Sequence, residues 1–204
     1  MIAESDELFL GERKRDTSVV FTAEKTLKVK SVFSDPYHEI ELTGVFTHPD
    51  LKILDLDPVI IRHPHNACRE SVHTLKSMIG EKVRPGLMKE VLRKAGNQGC
   101  SHLNTVFKDT IEGALLGRGR RVRHLLAELF PGISDAQTYK LALTFRPELL
   151  NSCNAYNPDG ELVREVLSAS LPENMTFETM QELEEYYEAL NSSDAGERAT
   201  MGRF

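Results

Sequence analysis

Four side chains of this sequence carry the chemistry of metal ligands or of nucleophiles: Cys68 in RHPHNACRE, Cys100 and His102 in GCSHL at 99–103, and Cys153 in NSCNAY. Thiolate sulfur and imidazole nitrogen are the donors that zinc, iron and iron–sulfur clusters take, normally three or four of them from separate segments. Cys68, Cys100 and His102 make three, and Cys153 would be the fourth. His63 and His65, beside Cys68, are the main alternative donors, and His38 is another. No CxxC pair is present, so spacing alone does not specify a metal. The same residues also support a different chemistry, in which Cys100, activated by a helix amino terminus and by His102, attacks a carbonyl or acyl carbon. Plain burial is the competing account, strongest for Cys68 on an apolar helical stripe and weakest for Cys153 among Asn151, Ser152 and Asn154. His102 taken alone reads as a first-turn helix residue bonded to backbone; His48 and His124 read as solvent-facing, and His73 as lying on the polar side of its helix.

The elements that must position these groups can be read from periodicity. Residues 1–25 are polar, with a charge cluster from Glu12 to Asp16, and read as an arm. A strand is expected over Thr26 to Phe33. A hairpin follows, with Ile40, Leu42 and Val45 alternating with polar residues, His48, Pro49 and Asp50 turning, and Leu51 to Ile61 returning until Pro58 and Pro64 interrupt it. Beyond Pro64 the period becomes helical. Ala67, Val72, Leu75, Met78 and Ile79 form one stripe between an Asn66 cap and a Gly80 stop, and a second helix runs from Pro85 to Gly96. A third opens near Ser101 with Leu103, Val106, Phe107, Ile111, Ala114 and Leu115 on one face, which should pack on the sheet. GRGRR then reads as a joint before another helix that ends at Pro131 and Gly132. Further helices are expected over Ser134 to Phe145 and after Thr176, with Cys153 in a loop between them and a turn at Asn157 to Gly160.

This pattern predicts an α+β fold: an antiparallel sheet from the N-terminal third packed by a layer of helices, with a C-terminal helical extension. The expected division is an arm at 1–25, one α+β domain at 26–165 and an acidic helical tail at 166–204. An outward helix of about 13 residues spans roughly 20 Å and a return helix of about 10 residues roughly 15 Å, so the chain should come back near Cys68 when it reaches Cys100.

Composition narrows the function classes. The 204 residues carry a net charge of −6, which argues against nonspecific nucleic-acid binding, and GRGRRVR is more simply a solvated joint. No apolar run approaches the roughly 20 residues of a spanning helix, and the amino terminus lacks a signal-peptide pattern, so a cytoplasmic protein with no membrane association is expected. An odd number of cysteines, three, fits reduced thiols rather than a disulfide framework. The sequence contains no GxxxxGK, GxSxG or HExxH motif. The acidic run LEEYYEAL, from Leu183 to Leu190, suits a protein partner or a homo-oligomer, which makes a metal-free interaction module a third functional reading.

The segment from HNAC through MIGEKVRPGLMKEVLRKAGNQGCSHLNTVF resembles the bacterial family called domain of unknown function 2889, whose members carry a similar cysteine, a glycine after the first helix and a GC(T/S)HL motif. NSCNAY is similar to that family's cysteine-containing carboxy-terminal segment. The resemblance spans roughly residues 26–165 and implies that all three cysteines stand where relatives also have cysteine. It departs in the first third, where a tryptophan and aspartate-rich signature is absent, and in the acidic tail. A more distant likeness is to iron–sulfur scaffold proteins of the IscU and NifU type. It implies that Cys68 matches the scaffold's middle cysteine and that Cys100 with His102 matches its histidine and cysteine; the scaffold's first cysteine has no thiol counterpart, and His38 lies nearest. The leading expectation is therefore a metal-binding or iron–sulfur protein, of an assembly, carrier or accessory kind, with zinc, iron or a cluster held by Cys68, Cys100, Cys153 and His102.

Overall fold

The computed structural model describes residues 9–95, 99–173 and 175–201, and it divides the chain into two compact units, residues 1–118 and 119–204. The first unit contains a four-stranded antiparallel sheet in sequence order: β1 (Lys14–Phe21), β2 (Thr26–Ser34), β3 (Glu39–Thr47) and β4 (Ile53–Arg62). Alternation sets its two faces. Leu27, Val29, Ser31 and Phe33 lie opposite Phe46, Gly44, Leu42 and Ile40 across the β2–β3 ladder, and all of them point inward. Pro58 interrupts nothing, because β4 is an edge strand and an edge is where a sheet tolerates proline.

β1 occupies residues that the charge cluster marks as an arm. Its outward residues are polar except Val20, and Val19 and Phe21 pack against the core, which is the alternation a half-buried edge strand needs. Three helices follow β4: α1 (Ala67–Glu70), α2 (Val72–Lys76) and α3 (Leu87–Ala95). The single outward helix expected over 67–79 is broken into α1 and α2. Ser71 Oγ, Thr74 Oγ1 and Ser77 Oγ each donate to the carbonyl three residues back, at 2.6, 2.7 and 2.7 Å, and backbone bonds of the same short span accompany them. Hydroxyls that take carbonyls in this way compete with the α-helical ladder and tighten the turn. Gly80 stops the segment with φ +92°; Gly96, the expected stop of the next helix, lies outside the described residues, as do residues 1–8 of the arm.

α4 (Ser101–Leu129) runs without a break through the glycine-rich stretch that reads as a joint. Two of its glycines explain the difference. A Cβ on Gly113 would come within 2.6 Å of Val29 Cγ1 and 2.7 Å of Thr17 Cγ2, and one on Gly117 within 2.6 Å of Val19 Cγ2. These glycines let the helix lie close on β1 and β2, and that contact offsets a helix-propensity cost of about 1 kcal/mol each. Asp109 of α4 accepts two hydrogen bonds from the Arg15 guanidinium of β1. Arg15 with Asp109, Thr17 with Gly113 and Val19 with Gly117 thus advance in step along β1 and α4. Leu103, Val106, Phe107, Ile111 and Ala114 complete the core of this unit.

In the second unit α5 (Asp135–Phe145) begins at a capping box, with Ser134 Oγ accepting from Gln137 N–H and the Gln137 side chain accepting from Ser134 N–H. α6 (Glu161–Ser168) and α7 (Met180–Met201) follow. Val122, Leu125, Leu126, Leu141, Met175 and Leu183 form its core. No helix among the described residues is long and apolar enough to cross a membrane.

Candidate functional site

The turn between β2 and β3 carries the site. Asp35 N–H donates to the His38 carbonyl at 2.8 Å, closing the turn, and Asp35 Oδ1 accepts from Tyr37 N–H at 2.9 Å and from His38 N–H at 2.7 Å. The same oxygen lies 3.0 Å from His38 Nδ1. With the proton on Nδ1 that contact is a hydrogen bond to the carboxylate, and Nε2 is the ring nitrogen left to act as a ligand. Arg62, at the end of β4, holds the turn from outside, donating to Ser34 Oγ at 3.1 Å and to the Asp35 carbonyl at 2.8 Å.

His102 arrives from α4. Ser101 opens that helix, so His102 stands in its first turn, and its imidazole stacks on His38 with ring centroids 3.8 Å apart and 29° between planes. Its ring also meets the fully buried Phe33, with centroids 5.3 Å apart. Asp35, His38 and His102 each offer one ligand atom, and those atoms lie within 4.8 Å of one another. Among the described residues this is the group of three or more histidine, cysteine or acidic side chains whose geometry could hold a metal ion, and it contains no cysteine.

Electrostatics prepare these groups for different tasks. Burial by itself raises the Asp35 pKa, but the N–H groups of Tyr37 and His38 and the His38 ring outweigh it and bring the carboxyl from 3.8 to about 2. Asp35 is a permanent anion with 8% of its side chain exposed. Burial pushes His102 below the ordinary imidazole value; His38 and Arg13 push it the same way, and Asp35 opposes them. His102 is therefore a neutral donor at pH 7.

The residues singled out in the sequence are placed unequally. His102 is in the group, and so is His38, one of the alternative donors. Cys100, two residues before His102, is half-buried and packs against the apolar core, with its carbonyl accepting from Asn104 N–H at 3.0 Å. Cys68 is half-buried in α1, a helix of four residues, too short to favour a thiolate through its dipole. Cys153 is exposed, just before a short 3-10 turn at Asn154–Tyr156 in the second unit. His63 and His65 precede α1 and belong to no such group. In the acidic run, Leu183 is buried in its own unit and Glu184 pairs with Arg121. Asp35 is the residue that reading for cysteine missed. Its signal is DPYH, an aspartate at a strand end followed by proline, the composition of a turn in which the carboxylate takes the next backbone N–H groups.

Residues 12–114 match the model of a family described as Protein of unknown function (DUF2889). The match begins before β1 and ends within α4, so it includes the whole Asp35–His38–His102 group, Cys68 and Cys100, and leaves Cys153 outside. No curated protein and no solved structure matches the chain.

Proposed function

Because the chain belongs to the DUF2889 family, and the matched segment contains all three residues of the group, we propose that this protein binds one divalent transition-metal ion at Asp35, His38 and His102. The observation that carries the reading is the convergence of two imidazoles and one carboxylate from a hairpin turn and a helix start. Two nitrogens and a carboxylate suit zinc or iron(II), and three protein donors leave coordination positions open for another ligand. Asp35 bonded to His38 is the carboxylate–histidine arrangement that fixes a ligand ring and raises its basicity. An iron–sulfur cluster, by contrast, would need Cys68, Cys100 and Cys153 together, and no cysteine belongs to the group. A nucleophilic Cys100 has less support, since its side chain packs against the core.

The test is calorimetric titration of the chain with Zn²⁺ and, anaerobically, with Fe²⁺. One ion should bind per chain, and His38→Ala and His102→Ala should each weaken binding by about 100-fold. Wild-type protein that binds neither ion, or histidine variants that bind as tightly as wild type, would overturn the reading.

A further inference from the structure

Two arginines border the group, and they are used differently. Arg62 spends its donors on the turn, reaching Ser34, the Asp35 carbonyl and the His38 carbonyl, and it pairs with Glu39 at 3.4 Å. Arg13 does not. It stands one residue before β1, where Lys14 pairs with Ser34, so the ladder sets it beside Asp35. Its guanidinium lies over the Phe33 ring, 5.3 Å from the centroid, on the same ring that backs His102. One nitrogen is 3.6 Å from Asp35 Oδ2, longer than a hydrogen bond, and 64% of the side chain is exposed. Among the described residues Arg13 has no hydrogen-bond acceptor, so its donor fork is available at the rim.

Charge gives that fork a purpose. A dipositive ion, one carboxylate and one guanidinium leave two uncompensated positive charges, because the Arg62–Glu39 pair cancels itself. Two cations held within one side-chain length repel unless an anion lies between them. We propose that Arg13 forms the second half of a binding site for a small oxyanion, a carboxylate or a phosphate, one oxygen of which takes an open position on the metal while another accepts from the guanidinium. Guanidinium suits this role because its planar donors match paired oxygens, and an aromatic ring beneath it fixes its plane. This inference rests on the metal reading above and assigns that site its ligand class.

The experiment uses the full chain loaded with Co²⁺, whose visible absorption reports its coordination. Sodium acetate and inorganic phosphate are titrated separately, which distinguishes a carboxylate from a phosphate as the preferred oxyanion. At least one of them should change the spectrum saturably. Arg13→Gln should weaken that response by roughly tenfold or more while leaving the Co²⁺ dissociation constant within a few-fold, and Arg13→Lys should recover part of it. Arg13 is exposed, so folding should survive, and far-UV circular dichroism checks that it does. If cobalt fails to bind the wild-type chain, both the metal reading and this inference fall. If cobalt binds but neither anion alters its spectrum, or Arg13→Gln responds as wild type does, the inference alone is overturned.

Discussion

Both units of this protein bury carboxylates; Asp109 in the first and Glu184 in the second are each met by an arginine fork, whereas Asp35 in the first is satisfied in the opposite way. In the second unit Glu184 accepts from Arg121 through both oxygens, at 3.2 and 3.3 Å, with the two side chains 11% and 14% exposed and the guanidinium also 5.3 Å from the Tyr187 ring centre. Donor fork meets acceptor fork, and the pair is closed. In the first unit Asp35 is held by two backbone N–H groups and an imidazole, and its guanidinium neighbour stands back at 3.6 Å. Backbone donors do most of the fixing and only His38 Nδ1 is spent beside them, so His38 Nε2, the His102 ring and Arg13 keep capacity for something else. Burial of charge alone therefore does not mark a site; what matters is which groups spend themselves on satisfying it.

The sharpest way to break this contrast is Glu184→Ala. Removing one partner of a nearly buried pair takes the carboxylate from a guanidinium that has little water around it, and the expected loss of stability is about 3 kcal/mol in urea unfolding. Metal affinity should not change. Asp35→Ala should cost less, about 2 kcal/mol at pH 7, because the turn N–H groups it exposes lie nearer water. It should also weaken metal binding by about 100-fold or more, because it removes one of the three proposed donors together with the carboxylate that orients His38. The stability difference has a defined pH dependence. Asp35 titrates lower in the folded chain, about 2, than its ordinary 3.8, so its contribution is complete above pH 3.8 and is lost as pH falls through 2. Acid titration of wild type and variant should show their stabilities converging across that window. A constant gap would mean that the carboxylate acts through packing rather than charge.

How legible this was in the sequence depends on what carried the information. The β2–β3–β4 meander follows from alternation, and α5 from Ser134 and Gln137 at capping spacing, because both are local patterns. β1 was hidden by its charges, since Arg15 and Asp16 look like a solvated arm until Asp109, 94 residues from Arg15, supplies the partner. Gly117, in the stretch that reads as a joint, looks like a helix breaker until the facing strands explain the missing Cβ. Half of the site was readable: His102 from GCSHL and His38 as an alternative donor. Asp35 and Arg13 were not, because their roles come from the β1–β2 register and a turn bond rather than from ligand chemistry in a motif. The cysteines drew attention by being reactive residue types, yet position decides use, and the expected return of the chain to Cys68 depended on a continuous outward helix that Ser71, Thr74 and Ser77 interrupt.

The smallest expected effect separates chemistry from composition most directly. Cys153 is exposed and lies in the second unit, so Cys153→Ser should shift stability by no more than about 0.5 kcal/mol. If the metal is held by Asp35, His38 and His102, the serine variant should bind Zn²⁺ with unchanged stoichiometry and an affinity within a few-fold of wild type. Thiolate is a stronger zinc donor than any oxygen that serine could offer, so a site that used Cys153 would lose most of its affinity on the same substitution. Loss of zinc from Cys153→Ser would return the metal to the cysteines and reduce the His38–His102 stack to packing. Retention in that variant, together with loss in His102→Ala, would place the ion between the hairpin turn and the start of α4.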